Sequence, residues 1–156
     1  MNAYEFQVNR IIRGLKKIPR DPFIPYVSDE LFDDYYHLFT DIFHLKDWLL
    51  NGSDFDKKVV NDYFENDEYL KKLQSLANGM KHLKITGKFN KFPKAQQIYA
   101  KWKNEKDCGE AVLVIFSIDD NDAMLGSAFV VACINSLNRF FKENKHKEPF
   151  SLDQMR

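Results

Sequence analysis

The sequence predicts a mainly α protein: an up-and-down helical bundle of four long helices plus a short one, with a β-hairpin inserted before the last helix. Three observations predict it. Apolar residues recur every three or four positions through four long stretches, the spacing that lines one face of a helix. Before the last of these stretches the period drops to two: Ile98, Ala100 and Trp102 alternate with Tyr99, Lys101 and Lys103. Finally, helix-breaking residues fall between the periodic stretches, at Pro19, Pro22 and Pro25 and at Asn51-Gly52.

Residues 3 to 18 form the first helix, with Tyr4, Val8, Ile11, Leu15 and Ile18 on one face and Arg10, Arg13, Lys16 and Lys17 over much of the rest. The three prolines end it, because each lacks a backbone donor and biases its predecessor away from helix. Ser28 is placed to cap the second helix, whose first turn carries Asp29 and Glu30 to complement the dipole. This helix runs to about Leu50. Leu31, Tyr35, Leu38, Ile42, Leu45 and Leu49 line one face, and Phe32, Tyr36, Phe39 and Phe43 line the next, so it is expected to pack on two sides at the bundle centre. A short helix follows from Asp54 to Phe64, then a re-cap at Glu65-Asn66-Asp67. The third long helix runs from Asp67 to Leu83, with Leu70, Leu73, Leu76, Ala77 and Met80 as its buried stripe.

The hairpin is expected at about residues 96–118. Ala111 to Ile118, a continuous apolar and β-branched run, suits its better-buried strand, and Asn104 to Gly109 is the loop. Ile85 to Phe92 is a candidate third strand. Asp119 to Asp122 reads as the cap of a last helix from Ala123 to about Asn144, and the polar tail from Lys145 onward is expected to fray.

At 156 residues the chain suits one domain, and its 44% hydrophobic and 29% charged residues are those of an ordinary globule. No apolar run approaches the roughly 18 residues that span a bilayer, so no membrane partner is expected. There is no signal-peptide pattern at the amino terminus. Cys108 and Cys133 are too few for a disulfide framework, and a cytoplasmic location follows as the expectation. Formal charge is zero but unevenly placed. Residues 29–68 hold twelve acids and three lysines, whereas residues 71–106 hold ten lysines and one glutamate. Such asymmetry either marks an anionic partner or lets two segments neutralise each other.

The third long helix carries the polar groups whose spacing suggests chemistry. Asn78 and His82 are one turn apart, with Lys81 about 60° to the side of Asn78. An amide to orient a phosphate, an imidazole to act as general acid or base, and an ammonium to stabilise developing charge are requirements of phosphodiester cleavage. A solvated helix face has the same composition. On the second helix His37, Asp41, His44 and Trp48 fall within about 60° of arc, with Asp47 further round, and form a candidate polar seam between helices. The same residues with His82 are a conceivable metal set, but no H-E-x-x-H spacing occurs and neither a metal nor a cofactor is predicted.

Leu76-Ala77-Asn78-Gly79-Met80-Lys81-His82, preceded by a long helix carrying His44-Leu45-Lys46-Asp47-Trp48, resembles a divergent member of the HEPN superfamily. The resemblance spans about residues 29–84. It implies a compact, often dimeric helical bundle and, in many members, metal-independent endoribonuclease activity in toxin–antitoxin and phage-defence systems. The family signature is an arginine, commonly followed by Asn, Asp or His, and a histidine four to six residues after the arginine. Asn78 and His82 match the polar and histidine positions. Ala77 stands where the arginine belongs, and Lys81 is the nearest replacement charge.

Beyond that segment, Lys84, Lys88, Lys91, Lys94 and Lys101 are interleaved with Phe89, Phe92, Tyr99 and Trp102. Cations for phosphates and aromatics for bases suit single-stranded nucleic acid, although the lysines equally suit protection of a sheet edge. The expected function is an HEPN-like protein that binds or cleaves RNA, with a homodimer or a small antitoxin-like protein as further partners. The contrasting expectations are a catalytically silent interaction or dimerisation module and a small-ligand-binding domain.

Overall fold

Apolar spacing becomes helix in five places among the described residues: α1 (Ala3–Leu15), α2 (Asp29–Gly52), α3 (Lys57–Asn66), α4 (Glu68–Thr86) and α5 (Gly126–Glu143). Between α4 and α5 lie β1 (Lys94–Lys103), β2 (Cys108–Asp119) and β3 (Asp122–Leu125), and a single 3-10 turn at Leu152–Gln154 follows α5. The structure is a computed structural model describing residues 2–21, 29–86, 94–103, 108–119 and 122–156, with side chains described for 2–21, 30–78, 115–116 and 124–156. It is mainly helical with an antiparallel hairpin before the last helix, as the periodicities predict. The predicted Ser28 cap, the connector prolines Pro22 and Pro25, and the lysines Lys88 and Lys91 lie outside the described residues.

α2 packs against α1, α3 and α4. Leu31, Tyr35, Leu38, Phe39, Ile42, Leu45 and Leu49 are buried along it, and Phe32, Tyr36 and Trp48 are partly buried against the same core. The predicted two-sided packing follows from this doubled apolar arc. At its C-terminal end the chain meets α1 closely: a Cβ built on Gly52 would lie 2.7 Å from the Cβ of Ala3, so only glycine lets the two helices approach this far.

Asp67 serves two helices. Its backbone N–H donates to the Tyr63 carbonyl at the end of α3, and its carboxylate accepts from the N–H groups of Tyr69 and Leu70 at the start of α4. Asp56 caps α3 in the same way, accepting from Val59 N–H. α3 is then tied to α5 by Tyr63, whose hydroxyl donates to the Ser136 carbonyl at 2.7 Å.

The sheet is antiparallel in the order β1-β2-β3. Ile98 pairs with Leu113 and Trp102 with Gly109. Phe116 of β2 carries the sheet onto the bundle: it is buried, and its ring meets Tyr35, Tyr36 and Phe39 of α2 edge-on at centroid distances of 5.3, 6.1 and 5.1 Å. Phe39 in turn packs on Phe129 of α5.

Three expectations need correction. The last helix begins at Gly126, not at Ala123. Asp122 to Leu125 instead turns back on β2 after an irregularity at Ser117/Asp119, pairing Met124 with Phe116 and Leu125 with Ile115, so Asp119 ends β2, Asp122 begins β3, and neither caps α5. The apolar run Ala123-Met124-Leu125 gains a ladder and a buried neighbour this way. The chain then enters α5 at Gly126, where a Cβ would lie 2.9 Å from Tyr35 Cζ. Second, α4 continues through Thr86, so Ile85 is helical and the third strand comes from the other side of β2.

Third, the tail is docked. α5 ends with Lys145 at φ 60°, and the N–H groups of Lys145 and His146 donate to the carbonyls of Lys142 and Phe141, a Schellman closure. His146 stacks on Phe55 at 4.4 Å. Asn138 then holds Phe150 by both of its backbone groups, at 2.9 and 3.2 Å. Phe150 and Met155 are buried, and Arg156 exchanges backbone hydrogen bonds with Ile18 and Arg20. Two apolar anchors in a polar segment outweigh its composition.

Candidate functional site

α4 positions the polar trio. Leu70, Leu73, Leu76 and Ala77 form its buried side, and α4 packs on α2, α3 and α5. Asn78 follows directly and is exposed, on the side of the helix shared with Gln74 and Ser75. Because the helix is unbroken from Glu68 to Thr86, positions 78, 81 and 82 lie within little more than one turn of each other, and Lys84 is on the next. For Lys81, His82 and Lys84 the backbone is described and the side chains lie outside the described set; the same holds for Lys94 and Lys101 on β1. β1 is an outer strand of the described sheet, which puts both lysines on an edge.

Ala77 is informative. It is 8% exposed, on the packed side of α4. A guanidinium at this position would enter the apolar interface, where an unpaired charge is costly. Packing therefore disfavours an arginine at position 77, and the cation nearest in sequence to Asn78 and His82 is Lys81.

The predicted seam on α2 divides. Asp41 faces α1: Gln7 Nε2 donates to the Asp41 carbonyl at 2.6 Å and to its Oδ1 at 3.3 Å, and Arg10 Nε lies 3.9 Å from the same carboxylate. Two turns earlier Lys17 pairs with Asp34 at 3.4 Å. Trp48 is half-buried and, with Asp47 and Ala3, lines a shallow groove beside the Gly52 contact. His44 is exposed, its ring 5.7 Å from that of Phe43. His37 is exposed too and lines a second groove between α1 and α2. Among the described residues no three His, Cys, Asp or Glu side chains are grouped to hold a metal ion.

What the sequence did not disclose is the polar part α1 plays against α2. Gln7 is fully buried, and its Oε1 has no hydrogen-bond partner. Its signal was positional: Gln7 lies only about 40° from Ile11 on the helical wheel, hence at the rim of the apolar face. The acids of α2 are answered in part by Arg10 of α1 and by Lys17 just past its end, and those of α3 and α4 by the near neighbours Lys46–Glu65, Lys58–Asp62 and Lys72–Glu68. Among the described residues these pairs reach five of the twelve acids of residues 29–68.

Burial raises the phenol of Tyr35 and the thiol of Cys133 well above their ordinary ranges, and raises Tyr63 to about 12. These are core groups held neutral and suit no role as nucleophile or base. Among the described residues no helix is long and apolar enough to cross a membrane. Comparison with protein-family models, curated proteins and solved structures finds no match.

Proposed function

We propose that the protein engages RNA through the C-terminal half of α4 and acts there as an HEPN-like ribonuclease. The observation that supports this reading most is the unbroken course of α4, which keeps Asn78, Lys81 and His82 within about one turn while leaving Asn78 open to solvent. In this reading Asn78 orients a phosphate, His82 moves the proton of the attacking or leaving oxygen, and Lys81 stabilises the charge that develops in place of the missing arginine. Lys84, Lys94 and Lys101 extend the basic surface along which the strand lies.

Labelled single-stranded RNA incubated in chelator with wild-type protein and with His82→Ala provides the test. Cleavage by the wild type that falls at least ~100-fold in the variant, with Asn78→Ala and Lys81→Ala less affected, is the expected result. Equal background from all four proteins removes the enzyme. Binding without cleavage, weakening steeply with salt, leaves a nucleic-acid-binding module.

A further inference from the structure

The α1 surface away from the core carries Phe6, Arg10 and Arg13 at i, i+4 and i+7, within about 60° of arc, and Lys17 follows in the turn just past the helix end. All four are exposed, Phe6 to 59%, making it one of two large apolar side chains left in solvent among the described residues. Alongside this stripe runs a groove of about 240 Å³ between α1 and α2, which the three cations share with His37, Asp34 and Asp41.

The cations are only partly used by the fold. Arg10 lies 3.9 Å from Asp41, beyond hydrogen-bond range. Lys17 reaches the half-buried Asp34 from solvent, a pairing of the kind that contributes little to stability. Arg13 has no carboxylate partner among the described residues. Two guanidinium forks one helical turn apart match the paired oxygens of successive phosphates better than ammonium groups do.

We propose that this face of α1 is a docking surface for single-stranded RNA: Arg10, Arg13 and Lys17 hold its phosphates along the groove, and Phe6 stacks a base. The exposed ring selects this occupant over an acidic peptide, since an aromatic platform beside a line of cations is how single strands are held without sequence preference. The surface shares its ligand class with the α4 reading but none of its residues. It does not require cleavage.

A backbone-resolved NMR titration with a short oligouridylate tests it, because each surface reports separately. The expected result is shifted amide resonances over residues 6–17, with affinity falling about tenfold in Phe6→Ala and in Arg13→Ala and unchanged in Lys58→Ala on α3. Shifts confined to residues 78–86 would overturn the proposal and leave the α4 reading standing. Shifts on α1 alone would support it and remove the α4 reading. No shifts would overturn both. An acidic peptide that perturbs the same resonances as strongly, with Phe6→Ala having no effect on the oligouridylate, would overturn RNA as the occupant.

Discussion

The two flanks of α2 meet their neighbours in opposite ways. Towards β2 and α5 the contact is dry and aromatic: Tyr35 and Phe39 meet Phe116 and Phe129 with ring centroids between 5.1 and 5.4 Å apart. Towards α1 it is mixed: a buried glutamine, two loose ion pairs and an open groove. Polar groups on or beside α5 are paired, as Tyr63 is to Ser136 and Asn138 is to Phe150. On the mixed flank Gln7 Oε1 has no hydrogen-bond partner and Arg13 no carboxylate among the described residues. The difference separates what holds the fold from what remains available to a ligand, and it is open to direct attack.

The largest effect is expected on the dry flank. Phe39→Ala removes a fully buried ring that packs on Tyr35, Phe116 and Phe129, and should lower stability by about 3–5 kcal/mol, read as a shift of the urea midpoint. Next comes Ala77→Arg, which puts a guanidinium directly before Asn78. Because position 77 is buried, the larger side chain should cost about 1–3 kcal/mol and fail to raise any ribonuclease rate. A stable variant with higher activity would show that the α4 site tolerates the arginine after all.

Asn138→Ala should cost about 1–2 kcal/mol by freeing both backbone groups of Phe150. Faster hydrogen exchange at the Phe150 amide would confirm that the tail is released. At high pH the sign follows from Tyr63. Its phenol is raised from 10.0 to about 12, chiefly by burial and then by Asp67, so its contribution is fully present below pH 10 and lost as pH rises towards 12. Urea midpoints should fall across that window in the wild type and fall less in Tyr63→Phe. Lys17→Ala, on the mixed flank, should change stability by less than about 0.5 kcal/mol.

Helical period carried most of the fold into view. The doubled apolar arc of α2 announced its central place, and Asp67 announced the break between α3 and α4. β3 was hidden because four residues with two acids before them satisfy a helix-cap pattern equally well; only the pairing of Met124 with Phe116 decides. The docked tail was hidden by composition, since it is held by groups distant in sequence: Asn138 binds Phe150, and Ile18 binds Arg156 beside Met155. For the candidate site, the one-turn relation of Asn78 to His82 was legible from spacing alone. That Asp41 faces Gln7 and Arg10 was not, because it depends on which helix lies across from it.

The most direct test of the division between a dry flank that holds the fold and open polar faces that take a ligand is the salt dependence of single-stranded RNA binding. Plotting log K against log salt for wild type and for the double variant Arg13→Ala, Lys17→Ala should give a slope shallower in the variant by roughly 1.4, about 0.7 for each phosphate no longer neutralised. Identical slopes, or wild-type protein that binds no RNA at low salt, would contradict the account.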